Sequence, residues 1–294
     1  MSDLPIYPHF KAVLLADKPV FDAALAKDLA QTSDLSFISF YAWGALEKTE
    51  FSLLDDLIII KRAALEPPEF YEPVGQGDKK AAITRVLKDN GGAFVRVSKG
   101  SAEYFQDDNN FVVEAQREYF DYLYNIADLV ALPGAKYHSK RNLIHRFKES
   151  QAYEYFTFDA DNISECLGLE EAWCRVKDCD NVESLSSERQ VLKVMVDHFA
   201  QLELIGAGIK IDEKLCAIVI AGRLNADTLV GHILKADANI TGLYQTMLNE
   251  FLSREGKSFR YINLEDDLGV EGLRKSKLSY HPVRLVEKYR ITIS

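Results

Sequence analysis

The residues that most clearly suggest chemistry are three consecutive carboxylates, Glu265, Asp266 and Asp267, which follow a predicted strand ending at Tyr261 and Ile262. Adjacent like charges repel one another, so folding alone does not favour such a run. Carboxylates placed together could recognise an amine or take a proton from it. The alternative is a solvated, acidic helix N-terminus, which the helix dipole would stabilise.

A basic segment follows the carboxylates after a glycine-punctuated turn. It contains Arg274, Lys275 and Lys277 and ends at Tyr280 and His281. Cations beside carboxylates would make a polarised cleft that suits a substrate with a free amine or a phosphate. In the alternative interpretation, these cations occupy the last turn of the same solvated helix.

A second charged element is the predicted helix 136–149. His138, Arg141, His145 and Lys148 are spaced by three, four and three residues, which places them on one helical face. Such a face suits the phosphates of a nucleotide, coenzyme A, tRNA or lipid headgroup. We expect charge reversal at Arg141 and Lys148 to weaken binding of a phosphate-bearing ligand without loss of folding. The alternative is a solvated amphipathic helix that links two domains.

His232 and Lys235 end an apolar strand, ahead of a helix that begins at Gly242 with Thr241 as its predicted cap. Residues at the point where a strand opens toward a helix often line active sites in α/β folds. The alternative for His232 is a histidine that is simply hydrogen-bonded at a strand end. The pattern leaves both interpretations open.

Composition limits the function classes. The chain has 294 residues, enough for one large domain or two ordinary ones, and a net charge of −10, which disfavours bulk binding to nucleic acid. No apolar run approaches the roughly 20 residues that span a bilayer, and the N-terminus lacks a signal-peptide pattern, so we expect a cytoplasmic protein. There is no Cys-x-x-Cys pair and no His-Glu-x-x-His motif, so no metal site is expected.

Helix and strand signals alternate along the chain. They predict an α/β fold with a mixed sheet and a break near Leu132-Pro133-Gly134. The predicted helices are 21–30, 78–90, 101–106, 136–149, 162–177, 187–202 and 242–254. The predicted strands are 57–61, 93–97, 111–114, 153–158, 208–211, 215–221, 228–234, 259–262 and 283–292.

Two segments carry a family resemblance. Between residues 263 and 289 the chain reads Asp-Asp-Leu-Gly, Gly-Leu-Arg-Lys, Lys-Leu-Ser-Tyr-His-Pro and Glu-Lys-Tyr in that order, and residues 121–147 form a second match. The chain thereby resembles the bacterial proteins related to the C-terminal domain of phosphatidylglycerol lysyltransferase. The resemblance implies α/β mixed sheets in two tandem GNAT-like acyltransferase domains, which we expect at residues 1–134 and 135–294.

The resemblance also implies a reaction. An acyl or aminoacyl group would pass from a phosphate-rich carrier, either aminoacyl-tRNA or acyl-CoA, to an amine or hydroxyl acceptor. The expected catalytic residues are Glu265, Asp266, Asp267, Tyr280 and His281. The expected substrate- and phosphate-binding residues are Lys235, His232, Arg274, Lys277, Lys140, Arg141, Asn142 and Asn263.

The donor and the acceptor stay open at this stage. The usual Gly-rich acetyl-CoA loop is not evident before the helix that begins at Gly242, which favours aminoacyl-tRNA or another donor. The membrane-embedded region of the full lysyltransferase is not in this chain, so a soluble acceptor, a peptide or a transiently bound membrane surface is expected. The rival hypothesis is a non-catalytic ligand- or partner-binding protein that retains the GNAT-like fold.

Overall fold

A computed structural model describes residues 4–28, 31–177 and 183–294. The chain divides into two compact units. Unit 1 comprises Met1–Tyr122, Glu265–Lys277 and Arg284–Ser294, and unit 2 comprises Leu123–Leu264 and Leu278–Val283. Unit 1 thus includes two segments from the end of the chain. The division into domains at residues 134 and 135 stays a prediction.

The secondary structure alternates between strands and helices, as predicted. The strands are β1 (Lys11–Ala12), β2 (Thr49–Leu54), β3 (Leu57–Arg62), β4 (Glu69–Gly75), β5 (Ala93–Ser98), β6 (Phe111–Ala115), β7 (Asp121–Asn125), β8 (Glu154–Thr157), β9 (Ile205–Ile211), β10 (Lys214–Arg223), β11 (Thr228–Ala236), β12 (Tyr261–Asn263), β13 (Arg284–Val286) and β14 (Lys288–Ile293). The helices are α1 (Lys18–Asp28), α2 (Phe37–Ala42), α3 (Gly44–Glu47), α4 (Lys79–Asn90), α5 (Lys99–Ala102), α6 (Ile126–Ala131), α7 (His138–Ser150), α8 (Glu165–Lys177), α9 (Glu183–Asp197), α10 (Leu243–Arg254) and α11 (Glu271–Leu278).

Unit 1 is built on a mixed sheet with the order β1-β2-β3-β4-β5-β14-β6. Only β4 and β5 pair in parallel among the neighbours described, and α4 connects them. Asp78 caps α4 by accepting a hydrogen bond from the backbone N–H of Ala81 at 2.9 Å. The buried face of α4, which includes Ile83 and Val86, packs into a core with Phe70 and Phe94 from the two parallel strands.

Unit 2 has its own mixed sheet, in which the strand order is β7-β12-β11-β10-β9-β8. The strands β11 and β12 are parallel and α10 lies between them in sequence, which repeats the arrangement of unit 1. The turn between β9 and β10 is tight: Asp212 and Glu213 both have positive φ, as in a two-residue hairpin turn. The predicted fold class of α/β units with mixed sheets is confirmed.

Three sequence predictions were wrong in detail. The predicted strand 283–292 is two strands, β13 and β14, interrupted at Glu287. The predicted helix 101–106 starts earlier, with Ser98 as the cap of α5, and continues as a 3₁₀ turn. Gly242 rather than Thr241 caps α10: its φ is 87°, and a Cβ there would lie 2.3 Å from the carbonyl oxygen of Leu143.

Among the described residues, no helix combines the length and the apolar character needed to cross a bilayer.

Candidate functional site

The three carboxylates lie in a loop of unit 1 whose backbone is strained. Glu265 and Leu268 adopt left-handed conformations with φ of 55° and 49°, and Gly269 follows with φ of 73°. Left-handed conformations are uncommon for residues other than glycine and are enriched at functional sites. The backbone N–H of Tyr122 donates to the carbonyl of Glu265 at 3.1 Å and anchors the start of this loop.

Asp267 is fully buried and is held by several donors. The Nε and Nη2 atoms of Arg274 donate to its two oxygens at 2.9 and 2.8 Å, and the Tyr122 hydroxyl donates at 2.5 Å. Arg117 Nη1 lies 3.2 Å away, and the backbone N–H of Gly269 donates at 2.9 Å. These hydrogen bonds, led by that of Arg274, hold the pKa of Asp267 well below its usual range. Asp267 is therefore a permanently charged anchor for the loop.

Asp266, its neighbour, lies in a different environment. Its Oδ2 is 3.4 Å from Nη1 of Arg96, and its backbone carbonyl accepts a hydrogen bond from the Lys277 ammonium. Burial raises the pKa of Asp266 to about 6, because the loss of solvation outweighs the opposing attraction of Lys288 and Arg96. A carboxyl group with a pKa near neutrality can accept and release a proton under physiological conditions.

A buried ion cluster supports this carboxyl group. The Lys288 ammonium is fully buried, lies 2.6 Å from Asp121 Oδ1 and also forms an ion pair with Asp34. The backbone N–H and the hydroxyl of Ser33 donate to Asp121 at 2.7 and 2.9 Å. The two carboxylates raise the pKa of Lys288 above its usual value despite burial, so this lysine stays charged.

Arg96 joins the cluster to Asp266. Its guanidinium lies 3.3 Å from Asp34 Oδ1 and stacks 3.5 Å from the centre of the Tyr119 ring. Its backbone is left-handed, with φ of 56°, and its N–H donates to Gln116 Oε1 at 3.2 Å. The sequence reasoning missed this residue, although a charged side chain inside the apolar strand β5 was a usable signal.

Exposure divides the cluster into two groups. The side chains of Asp34, Arg96 and Asp266 are 13, 14 and 14% exposed, whereas those of Asp121 and Lys288 are fully buried. The first three groups are therefore partly open to solvent, and the last two are not. The arrangement places a titratable carboxyl group beside a guanidinium, with a fixed ion pair behind them.

Arg274 and Lys277, the two predicted phosphate ligands of this segment, are engaged within unit 1. Arg274 donates two hydrogen bonds to Asp267. Burial lowers the pKa of Lys277, whose ammonium lies 5.8 Å from the centre of the Tyr122 ring. Both side chains stabilise the carboxylate loop, and their predicted contact with a phosphate stays a prediction.

In unit 2, the predicted phosphate ligand Lys235 is buried between two carboxylates. Its ammonium lies 2.5 Å from Glu170 Oε2 and 2.9 Å from Glu188 Oε1. His232 is half-buried on the same strand, β11, and Asn263 is fully buried at the end of β12. Because two carboxylates already surround the Lys235 ammonium, little attraction for an anionic ligand is left there.

Tyr280 and His281, two of the expected catalytic residues, lie near α7 in unit 2. Tyr280 is buried, burial raises its pKa above the usual value, and its carbonyl accepts a hydrogen bond from the Tyr137 hydroxyl at 3.0 Å. The Lys140 ammonium lies 4.0 Å from the Tyr280 ring centre and donates to Ser279 Oγ at 2.7 Å. His281 is exposed, and its Nε2 lies 3.2 Å from a backbone carbonyl.

Arg141 and Asn142, two further predicted phosphate ligands, make local contacts. Arg141 Nη1 donates to the carbonyl of Leu132 and, at 2.7 Å, to that of Gly134. Asn142 Nδ2 lies 3.0 Å from Nε2 of His138. Arg141 therefore satisfies carbonyl groups just after α6, which is a structural role that the spacing pattern did not reveal.

The two remaining residues of the predicted α7 face, Lys148 and His145, have carboxylate partners. Lys148 forms an ion pair with buried Glu250, and His145 Nδ1 lies 3.0 Å from Glu149 Oε2. The predicted face therefore carries less free positive charge than its sequence indicates.

The described residues offer no group of three or more histidines, cysteines, aspartates or glutamates that is placed to hold a metal ion. At the start of α4 the Asp78 carboxylate caps the helix by accepting from the Ala81 backbone N–H. This places a negative charge where a pyrophosphate group would have to bind.

Comparison with known proteins identifies the family. The sequence profile of the phosphatidylglycerol lysyltransferase C-terminal region matches residues 26–292. No curated protein matches the sequence. A conserved protein of unknown function from Bacteroides thetaiotaomicron is 35% identical, with a TM-score of 0.92 over 97% of this chain and 99% of that one.

Two further solved structures share the fold at 12% identity. The C-terminal domain of a protein described as a lysylphosphatidylglycerol synthetase from Agrobacterium fabrum has a TM-score of 0.68 over 95% of this chain and 92% of that one. L-PGS from Bacillus licheniformis has a TM-score of 0.66 over 94 and 92%. Both structures therefore share the fold of two units with mixed sheets, and the chain belongs to the family of the phosphatidylglycerol lysyltransferase C-terminal region.

Proposed function

We propose that this protein is a transferase that moves an acyl or aminoacyl group from a phosphate-rich carrier to an amine or hydroxyl acceptor. The observation that carries the proposal is Asp266, a carboxyl group that is partly exposed and has a pKa of about 6. It stands beside Arg96 in a cluster that buried Lys288 holds in place. Membership in a family named for a lysyltransferase supports the same reaction class.

In this proposal, Asp266 is the general base. At neutral pH it is mostly ionised, so it can take a proton from the acceptor amine or hydroxyl as that group attacks the carbonyl carbon of the donor. The donor's ester or thioester bond then breaks, and its oxygen or sulfur leaves with the proton. The Arg96 guanidinium stabilises negative charge that develops next to Asp266.

We further propose aminoacyl-tRNA as the donor, with a lysyl group as the first candidate. The family name supplies the lysyl candidate. The start of α4, which the Asp78 carboxylate caps, disfavours a carrier whose pyrophosphate must sit on that helix N-terminus. Acyl-CoA is therefore the second candidate.

A transfer assay tests the proposal. The protein is incubated with tRNA carrying radiolabelled amino acids, lysine first, or with labelled acyl-CoA. The acceptors are phosphatidylglycerol vesicles, peptides and simple amines. We expect acceptor-dependent loss of label from the carrier with recovery in product, and a rate at least about 100-fold lower for Asp266→Asn. The matched control is Asp107→Asn, which removes an exposed carboxylate of unit 1 and should keep full activity.

The same assay distinguishes the proposed transferase from a non-catalytic binding protein. A non-catalytic binding protein would show ligand-dependent thermal stabilisation without product, and Asp266→Asn would change affinity rather than turnover. Equal transfer rates for Asp266→Asn and the wild type would refute the assignment of Asp266 as the base.

A further inference from the structure

Unit 1 contains a pocket of about 540 Å³ that the proposed transfer does not use. Its lining residues come from the end of α1, from β4, from the junction of β5 and α5, and from β13 with the residue after it. The volume lies within the range of small-molecule sites.

The pocket forms where two parallel strands separate. The strands β4 and β5 pair only as far as Tyr71 and Val95, yet both continue beyond that point. Glu72, the next residue of β4, spans the gap: its Oε2 accepts a hydrogen bond from the Ser98 backbone N–H at 2.7 Å, and its Oε1 accepts one from Ser101 Oγ at 2.6 Å.

The enclosed part of the pocket is acidic. The Glu72 side chain is 3% exposed and that of Asp28 is 8% exposed, and the Lys79 ammonium bridges them at 2.8 Å from each. The two carboxylates carry two negative charges against one positive charge, so this side of the pocket favours a further positive group.

The outer part of the pocket carries an available cation. Arg284 is exposed, and its guanidinium donates to Gln31 Oε1 at 2.7 Å, a neutral partner that leaves its charge uncompensated in that contact. Lys99 lines the same region, where it lies 3.1 Å from Glu287. An anionic group entering the pocket could pair with Arg284, because a guanidinium group has several N–H donors for a carboxylate.

From this separation of charge, we infer that the pocket binds a small zwitterion of amino-acid to dipeptide size, with its ammonium group toward Asp28 and Glu72 and its carboxylate toward Arg284. The inference does not rest on the proposed transfer. None of the lining residues belongs to the Asp266 cluster.

Gly100 provides a way to block the pocket without disturbing the fold. It lines the pocket, and a Cβ added there would have no neighbouring atom within 4 Å. A Cβ at this position therefore causes no clash, and a large side chain can be added at a residue that lines the pocket. Gly100→Leu and Gly100→Trp add side chains of increasing size and are the two variants intended to block the pocket.

Calorimetric titration and thermal shift with the full chain test the inference. The probes are the twenty L-amino acids and lysine- and alanine-containing dipeptides at up to about 10 mM, a concentration at which weak ligands still stabilise the native state. For each ligand that binds, its N-acetyl derivative removes the positive charge and its amide removes the negative charge. We expect both derivatives to bind at least about tenfold more weakly. Tighter binding of free amino acids than of dipeptides, or the reverse, shows which of the two classes of zwitterion the pocket binds.

The variants then locate the binding. Arg284→Ala should weaken it about tenfold and Gly100→Trp should abolish it, whereas Arg85→Ala, which removes an exposed cation of unit 1 outside the pocket, should bind as the wild type does. Asp266→Asn should also bind normally, whatever the transfer assay shows. Absence of any binding zwitterion would overturn the inference, as would wild-type affinity in both Arg284→Ala and a folded Gly100 variant.

Discussion

Asp266 and Asp267 are adjacent in sequence, yet their protonation equilibria are displaced in opposite directions. Burial raises the pKa of Asp266 to about 6, whereas hydrogen bonds led by that of Arg274 hold the pKa of Asp267 well below its usual range. Asp267 fixes the loop, and this leaves Asp266 as the member of the pair that can exchange a proton. Carboxyl groups whose environments separate their pKa values are a recurrent basis of acid–base catalysis.

The first prediction concerns stability. The folded-state pKa of Asp266 is above its ordinary value of 3.8, so the folded protein binds this proton more tightly than the unfolded chain does. Its ionisation therefore costs stability progressively as pH rises from about 4 to 6. We expect Asp266→Asn to be more stable than the wild type at pH 7 by on the order of 2 kcal/mol, measured by urea unfolding.

The pH dependence provides the control for that experiment. The difference in unfolding free energy between Asp266→Asn and the wild type should grow between pH 4 and pH 6 and then level off. A difference that does not vary with pH would show that the effect comes from packing rather than from ionisation.

The second prediction concerns activity. If Asp266 is the base, kcat/KM should rise with pH about tenfold per unit below pH 6 and flatten above it, because only the ionised form accepts a proton. A rate profile recorded between pH 4.5 and 8 with a limiting donor checks this. A profile without an inflection near pH 6 would exclude Asp266 as the group whose ionisation limits the rate.

The third prediction concerns Asp267. Its pKa is depressed in the folded state, so its contribution to stability is complete above the ordinary pKa and is lost as pH falls through and below that value. We expect Asp267→Asn to lower the unfolding free energy at pH 7 by about 2 kcal/mol, since it removes the charge that binds Arg274 and Arg117. The isosteric control Asp107→Asn should change stability by less than about 0.5 kcal/mol.

The fourth prediction concerns buried Lys288. Its replacement by methionine leaves Asp34 and Asp121 without their shared cation, and breaking a buried ion pair in this way typically costs about 3–5 kcal/mol. The double variant Lys288→Met with Asp121→Asn should recover part of that loss, because one unpaired charge is removed. Additive losses in this double-mutant cycle would mean that the two residues do not interact energetically.

The sequence predicted the elements of the fold well where local patterns determine them. The helix 78–90 began at an aspartate and ended before two glycines, and the strands 57–61 and 93–97 were mostly apolar. These elements correspond to α4, β3 and β5. The break at Glu287 was not predictable in this way, because the sequence on both sides has strand-forming character.

The candidate site was only partly predictable. The carboxylate run drew attention to Asp266 through its composition, but its supporting residues are remote in sequence: Lys288 and Asp121 are separated by 167 positions. No local spacing rule connects such residues. For the same reason, the regular spacing of α7 identified a charged face without revealing that Arg141 binds backbone carbonyls.

The last prediction tests that structural role. Arg141 donates hydrogen bonds to the Leu132 and Gly134 carbonyls, so Arg141→Ala should lower the unfolding free energy by about 1–2 kcal/mol. Arg146, which is exposed on the same helix, is the matched control, and Arg146→Ala should change stability by less than about 0.5 kcal/mol.

Affinity for an aminoacylated tRNA, measured with both variants at one salt concentration, distinguishes the two interpretations of α7. A loss of stability confined to Arg141→Ala, with equal affinities, supports the carbonyl-binding role. Unchanged stability with weaker tRNA binding would restore the phosphate-binding role that the spacing predicted.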